Sequence, residues 1–375
     1  MTDNRVVVFT GGGTGGHIYP GLAVIESLRE SFSGRIVWLG SAKESDRRVV
    51  EAAGIEYRAL PAGKLRRSFS LENAADAFRV AAGFFAARRI LKELRPALLF
   101  SKGGYVSVPP CKAAASLGIP VFTHESDLSA GLATRINAGS AERILVSYEE
   151  TRNSFGPELR GRVAVVGNPV RAAIRSGDAA KGREILGAEP DLPIVMFIGG
   201  SQGARQVNEL VSAIVPELTK RATVVHQTGE AAASPSSAMT LSTMASPAGR
   251  YRPFAYIRDE MPHLLAAADL IVGRSGASSL WEAGALGKPM VLVPLAGSGT
   301  RGDQVDNARL FEAAGAAKVL VGAEATPYSL LKAVLHFLDD PEAAKAAGEA
   351  AKGIAGRDAA SAAATLILER IGGNS

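Results

Sequence analysis

The stretch TGGGTGGHIYPGLAV, Thr10 to Val24, follows the apolar run VVVFT, Val6 to Thr10, and places five glycines and one histidine in residues 11–17. A β-branched run that ends in glycines and reopens with helical spacing reads as the first strand, turn and helix of a parallel α/β sheet. The same punctuation returns when PIVMFIGG, 193–200, runs into GGSQGAR, 199–205. Between and after these two turns, short Val/Ile/Leu-rich runs alternate with longer helical segments: RIVWLG, ALLFS, PVFTHE, RILVS and RVAVVG, then TVVHQTG, LIVGRSG and PMVLVP. This is the pattern of parallel strands covered by helices on both faces, and it occurs twice. The expected fold is therefore α/β, with two Rossmann-like parallel-sheet domains in tandem. Asn168-Pro169 and the polar stretch after it interrupt the rhythm, giving an N-terminal domain 1–166 and a C-terminal domain 167–349. The Ala-rich segment 350–375 is expected to form a helix that packs back on the first domain.

Composition narrows the class. With 375 residues the chain is long for one core, and 47% hydrophobic against 21% charged residues describes an ordinary globular protein. Cys111 is the only cysteine, which excludes an intramolecular disulfide and a cysteine-rich metal site. The N-terminus enters a strand without the layout of a signal peptide, and VAAGFFAA, 80–87, is far shorter than a membrane span. The net charge of +5 lies in the first half: residues 1–166 hold 22 Lys+Arg against 16 Asp+Glu, and the remainder 20 against 21. An anionic partner for the first domain follows. Nucleic acid is not expected, because there is no zinc-finger spacing, RNP-like motif or dense basic run.

Three uses of the first glycine turn compete. Residues 11–16 match G-x-G-x-x-G, but the next strand ends Leu39-Gly40-Ser41 without an acidic residue for a dinucleotide ribose. A P-loop is excluded, since His17-Ile18 follows Gly16 where Lys and Ser/Thr are required. Glycines that merely let the helix approach the strand remain open for one turn. Two turns at equivalent places favour phosphate, which free N–H groups and the positive end of a helix dipole attract. A third loop, SKGGYVSVP at 101–109, and a fourth, GRSGASSLWEAG at 273–284, also follow strands. In the fourth, Ser279 and Glu282 fit an S-x-x-E capping box, and spacing alone favours that use. The alternative is that Glu282 accepts hydrogen bonds from two ribose hydroxyls.

The ordered set GGTGGHIYPGLAV, KGGYVSVP, HESDLSAGL, VGNPVR, GGSQGARQVNE, RSGASSLWE and RGDQVDNA, spread over about residues 5 to 320, resembles the MurG family. These are UDP-N-acetylglucosamine:undecaprenyl-pyrophosphoryl-muramoylpentapeptide N-acetylglucosaminyltransferases. The resemblance implies a GT-B enzyme of peptidoglycan synthesis, its two domains facing a cleft, that transfers GlcNAc from UDP-GlcNAc to the muramoyl sugar with inversion, lipid I to lipid II. It implies His17 as general base. It places Thr14, Gly15, Gly16, Asp127, Arg171, Ser201, Ile257, Ala277, Ser278, Ser279, Leu280, Trp281, Glu282 and Gln304 on the donor. Arg171 and Ser201 would meet the diphosphate, Ile257 the uracil, Glu282 the ribose, against the capping-box preference, and Gln304 the sugar hydroxyls. Gly12, Gly13, Gly103, Gly104, Tyr105 and Glu125 fall to the acceptor. Its partners are UDP-GlcNAc, the undecaprenyl-linked muramoylpentapeptide and an anionic membrane surface, and its location is the cytoplasmic face of the bacterial plasma membrane, bound peripherally.

The family's usual HEQN reads HESD here, so Asp127 puts an acceptor-only carboxylate where an amide stands, and it competes with His17 for the base role. RGDQ, preceded by a longer loop, departs from the pattern before Gln304. The chain holds no D-x-D, so no metal and no cofactor is expected, and protein groups must stabilise the leaving UDP. A histidine at a helix N-terminus is kept neutral by the dipole and ready to accept a proton, or else it only caps or packs. His124 and His226 follow strand residues and read as structural. Other readings are a UDP-GlcNAc epimerase, another GT-B glycolipid glycosyltransferase, or a non-catalytic nucleotide-sugar sensor. In Ala62 to Arg95, eight Lys/Arg stand against three Asp/Glu beside Leu71, Phe78, Phe84, Phe85 and Leu91. Core packing and membrane contact both fit that segment, with Phe84, Phe85, Arg88 and Arg89 the expected membrane face.

Overall fold

The structure is a computed structural model that describes residues 3–63, 71–199, 204–229, 249–297 and 300–372. The chain divides into two units, Met1–Arg171 with Asp358–Ser375, and Ala172–Arg357. The strand rhythm placed the first boundary at 166. Gly167 to Arg171 continue within the first unit.

Among the described residues the first unit contains a seven-stranded sheet, built from β1 (Val6–Thr10), β2 (Arg35–Ser41), β3 (Glu56–Leu60), β4 (Leu98–Ser101), β5 (Val121–Glu125), β6 (Arg143–Val146) and β7 (Val163–Val165). All its pairings are parallel, in the order β3-β2-β1-β4-β5-β6-β7. Alternation along each strand splits the core. Val7, Phe9, Ile36 and Trp38 face one layer with Val24, Ile25 and Leu28 of helix Tyr19–Leu28, while Val8, Val37, Leu39 and Leu99 face another with Ala87, Leu91 and Cys111. Trp38 anchors the first turn: its Nε1 donates to Gly11 O at 3.1 Å, and a Cβ at Gly21 would stand 2.6 Å from its ring. Only glycine lets the helix approach there.

The end of the chain returns to this unit. Helix Ala359–Gly372 buries Ala363, Ala364, Ile367 and Ile371 in the layer of Val7 and Trp38, and Arg5 Nη1 donates to Ile371 O at 2.7 Å. The expected start of this segment, residue 350, lies inside helix Pro341–Ala355, which stays with the second unit.

The second unit holds β8 (Ile194–Ile198), β9 (Thr223–Gln227), β10 (Tyr251–Phe254), β11 (Leu270–Gly273), β12 (Met290–Leu292) and β13 (Ala317–Val319), parallel in the order β10-β9-β8-β11-β12-β13. Val207, Leu210, Val211, Ile214 and Leu218, at three- and four-residue spacing on helix Arg205–Leu218, cover Val195, Phe197 and Val224. In both units the strand order reverses at the first strand, beside β4 and β11 respectively. Parallel sheets bind ligands outside the carboxyl ends of strands at such switch points. The four glycine loops follow β1, β4, β8 and β11, so each unit carries two of them at its own switch point.

Candidate active site

On the first unit the loop after β1 becomes a single 3-10 turn, Gly15–His17, that leads into helix Tyr19–Leu28. Thr14 Oγ1 lies 2.9 Å from His17 Nδ1, and His17 N donates to Thr14 O at 3.1 Å. The imidazole rests against the loop after β4. A Cβ at Gly104 would lie 3.2 Å from His17 Nδ1, and both Gly103 and Gly104 take left-handed backbone angles, φ +84° and +75°. Any other residue at either position would be strained, and at Gly104 its Cβ would press on Gly12 O at 2.9 Å and on the ring. Tyr105 closes over Gly13, whose Cβ would stand 2.9 Å from the Tyr105 ring. Residues 12–17 and 103–105, read separately in the sequence, thus meet around one histidine.

Asp46 was missed by sequence reasoning. It is buried in helix Glu44–Ala52, and its Oδ2 accepts from Gly13 N at 2.8 Å and from Ser41 Oγ at 3.3 Å. Lys43 Nζ stands 3.9 Å from Oδ1. The Gly13 amide, expected to face an anionic ligand, is therefore committed to a carboxylate of the protein. The signal was Ser41-x-x-x-x-Asp46: the acidic group absent from the strand tip comes back from the next helix.

Glu125, assigned to the acceptor, is likewise occupied. Oε1 accepts from Ser126 N at 2.9 Å and Asp127 N at 3.1 Å, and Oε2 from Gly131 N at 2.9 Å. It is buried, and it shapes the loop that carries the half-buried Asp127. Next to it, His124 Nε2 lies 2.8 Å from Gly167 O, and burial holds its pKa well below the usual histidine value. Arg171, assigned to the donor diphosphate, is the last residue of this unit and stacks its guanidinium on the Tyr19 ring at 4.7 Å, two residues beyond His17.

On the second unit, Ser201 lies outside the described residues. Helix Ala277–Ala285 starts from Gly276 and has no side-chain cap. The capping-box reading is overturned, because Ser279 is already the third helical residue and Glu282 the sixth. Leu280 and Trp281 are buried in the helix's inner face, Ala277 is buried, and Ser278, Ser279 and Glu282 are half-exposed. The opening N–H groups of this helix are thus left for an anion. Gln304 Oε1 accepts from Leu295 N at 2.9 Å, and its carbonyl oxygen accepts from Ser275 Oγ at 2.7 Å. That orientation leaves the Gln304 amide nitrogen as the donor for a hydroxyl. Ile257 is buried, and its N donates to Gln227 Oε1 at 3.1 Å. Arg274, not singled out beforehand, donates to Gln206 Oε1 at 3.1 Å and Val293 O at 2.8 Å, which ties the loop after β11 to helix Arg205–Leu218. His226 bridges Tyr251 Oη at 2.9 Å and Asn208 Oδ1 at 3.0 Å, and burial lowers its pKa to about 4.

Residues 7–146 match the family model for the glycosyltransferase family 28 N-terminal domain, and residues 194–366 match that for its C-terminal domain. The chain is 48% identical over 334 residues, 86% of its length and 85% of the relative's, to a Treponema denticola protein. That relative is named UDP-N-acetylglucosamine--N-acetylmuramyl-(pentapeptide) pyrophosphoryl-undecaprenol N-acetylglucosamine transferase. A protein of the same name from Lachnoclostridium phytofermentans is 38% identical, with 89% of this chain and 91% of the relative covered. Among solved structures, Acinetobacter baumannii MurG is similar at a TM-score of 0.74 and 24% identity, covering 98% of this chain and 100% of that one. A UDP-GlcNAc 2-epimerase from Neisseria meningitidis bound to UDP-GlcNAc reaches 0.67 at 14% identity, covering 99% and 100%. These two likenesses establish the fold alone, which hosts more than one chemistry.

Proposed function

The chain belongs to glycosyltransferase family 28, and on that premise we propose that it transfers N-acetylglucosamine from UDP-N-acetylglucosamine to N-acetylmuramyl-(pentapeptide) pyrophosphoryl-undecaprenol, the step from lipid I to lipid II in peptidoglycan synthesis. It is an N-acetylglucosaminyltransferase with a two-domain GT-B fold. The observation that carries this reading is the 48% identity to the Treponema denticola transferase over 86% of the chain, which takes in both units.

In the reaction the acceptor hydroxyl oxygen bonds to the anomeric carbon, and the bond from that carbon to the diphosphate oxygen breaks. UDP leaves with the electron pair, and configuration inverts from α to β. His17 takes the hydroxyl proton. In the tautomer whose Nδ1–H donates to Thr14 Oγ1, the lone pair lies on Nε2, and Asp46 holds the Gly13 end of the same loop. The charge that develops on UDP is met by the uncapped N-terminus of helix Ala277–Ala285, by Ser201 and by Arg171. Glu282 takes the ribose, Ile257 the uracil and Gln304 Nε2 a sugar hydroxyl. The loops 12–13 and 103–105 take the acceptor, with Glu125 holding the neighbouring loop in place rather than touching the ligand. UDP release that depends on the lipid-linked muramoyl acceptor tests the assignment. UDP-GlcNAc consumption that proceeds equally without that acceptor would overturn it.

The acceptor's polyprenyl chain stays in a bilayer, so the enzyme must work at its surface. Among the described residues no helix is long and apolar enough to cross a membrane. Helix Leu71–Leu94 supplies a peripheral face: Phe78 and Phe85 lie two turns apart and are 78% and 69% exposed, with Arg89 and Lys92 exposed further along. Apolar groups that dip between headgroups, followed by cations that meet anionic phosphates, suit binding at the cytoplasmic face. Phe84 does not belong to that face. It packs towards the core with Ala86 and Ile90.

A further inference from the structure

The turn that rests on His17 is held from behind by a side chain that no role above uses. Gly103 and Gly104 take left-handed backbone angles in succession, a shape that a chain needs help to keep. Two serines brace it. Gly103 N donates to Ser101 Oγ at 3.2 Å, and Gly104 O accepts from Ser107 N at 3.1 Å and from Ser107 Oγ at 2.9 Å. Asn137, fully buried on helix Leu132–Ala138, joins the two serines, since its Nδ2 donates to Ser107 Oγ at 2.9 Å and to Ser101 Oγ at 3.3 Å.

Ser107 fixes which way that amide points. A hydroxyl has a single hydrogen, and Ser107 gives it to Gly104 O, so its oxygen meets Asn137 as an acceptor and needs the amide nitrogen. The arrangement leaves Asn137 Oδ1 buried with no hydrogen bond among the described residues. A buried carbonyl oxygen without a donor costs stability, which leucine, of similar size and shape, would avoid. What the amide supplies is the turn, both ends of which hang from it. The turn in turn reaches the base: a Cβ at Gly104 would lie 3.2 Å from His17 Nδ1, and one at Gly103 3.8 Å from His17 Cδ2.

We propose that Asn137 is a positioning residue of the transfer reaction: through Ser101 and Ser107 it holds the Gly103-Gly104 turn against the imidazole, so that His17 meets the acceptor hydroxyl in one orientation. The inference rests on the transferase reading with His17 as base. Asn137 touches no reacting atom. Its effect is on alignment, where a displacement of about 1 Å costs up to about a hundredfold in rate.

The test is steady-state UDP release by the purified full chain with the lipid-linked acceptor, for Asn137→Leu, Ser107→Ala and their combination, each with His17 present and in a His17→Ala background. Asn137→Leu is expected to lower kcat about tenfold, with UDP affinity, read by calorimetry, near wild type. Ser107→Ala is expected to act in the same direction, and the combination to cost no more than the larger single loss, because both break one chain of hydrogen bonds to Gly104 O. In the His17→Ala background each substitution should cost less than about twofold, since aligning an absent base contributes nothing. If Asn137→Leu does not fold, Ser107→Ala with and without His17 carries the same comparison. A kcat that stays at the wild-type value, even beside a raised acceptor KM, would overturn the proposal. So would a loss that persists undiminished in the His17→Ala background. Full turnover by His17→Ala alone would remove the base reading, and a wild-type chain that releases no UDP with the lipid acceptor would remove the transferase reading itself.

Discussion

The Thr14 hydroxyl lies 2.9 Å from Nδ1 of His17, within one 3-10 turn that is closed from the other side by Gly103 and Gly104. A general base needs one nitrogen held and the other presented, and this contact supplies the hold. His17→Ala is therefore expected to lower kcat by about 10²–10⁴-fold, the usual span for a positioned base. UDP-GlcNAc affinity, read by calorimetry, should stay near wild type. Thr14→Val should cost less, about tenfold in kcat, because it leaves the imidazole but loosens its tautomer. Turnover preserved in His17→Ala would transfer the base role to Asp127.

Glu282 stands at the sixth position of a helix that starts from Gly276, where its carboxylate can contribute nothing to a capping box. Glu282→Ala should leave the melting temperature within about 1–2 °C of wild type, as expected for a partly exposed side chain outside the core. It should weaken UDP binding by about 1.5–3 kcal/mol through lost charge-assisted hydrogen bonds. A lower melting temperature with unaltered UDP binding would return the residue to a structural role.

The fold was legible because the strands announce themselves twice, and each glycine turn sits where the strand order reverses. What the sequence concealed is which groups the loops satisfy internally. G-x-G-x-x-G spacing cannot show that Gly13 N is committed to Asp46, since that residue arrives from the following helix. The HE pair likewise cannot show that Glu125 is used by three backbone amides. Helix starts fail for a related reason. Ser279-x-x-Glu282 has the letters of a cap, but Gly276 takes the extended backbone that opens the helix three residues earlier. Phe84 and Phe85 were both expected on one outward face, and only Phe85 is exposed, because adjacent phenylalanines on a helix point about 100° apart and only packing decides which is inside.

His226 predicts an acid limit for the second unit. Its two ring nitrogens are engaged by Tyr251 and Asn208, and burial lowers its pKa from the usual 6.5 to about 4. A depressed histidine pKa means that the unfolded chain binds the proton first. The stability it contributes is whole above pH 6.5, shrinks as pH falls, and is gone below about 4, a loss of about 3 kcal/mol. The protein's two tryptophans, Trp38 and Trp281, are buried one in each unit, so Trp281 fluorescence in a Trp38→Phe background follows the second unit alone. Denaturant midpoints should drop between pH 7 and pH 4.5, and His226→Gln, which keeps an acceptor for Tyr251 and a donor for Asn208, should flatten that drop. An equal drop in the variant would assign the acid sensitivity to other groups.

The paired phenylalanines of helix Leu71–Leu94 give the membrane reading a sharp internal control. Phe85 is 69% exposed and Phe84, in edge contact with it at 5.4 Å, packs inward. Removing the ring of Phe85 should therefore cost bilayer contact and little stability, while removing that of Phe84 should do the opposite. Arg88 donates to Ser116 Oγ at 3.3 Å, whereas Arg89 is exposed, so the pair should likewise divide between helix packing and headgroup contact. In sedimentation with anionic vesicles at low salt, wild type should bind and be released as ionic strength shortens the reach of its cations. Phe85→Ser and Arg89→Ser should each reduce binding several-fold at unchanged melting temperature and UDP affinity. Phe84→Ser should lower the melting temperature and leave the vesicle affinity of the folded protein near wild type. Equal vesicle binding by wild type and by a combined Phe78→Ser/Phe85→Ser/Arg89→Ser variant would place the membrane surface on another part of the chain.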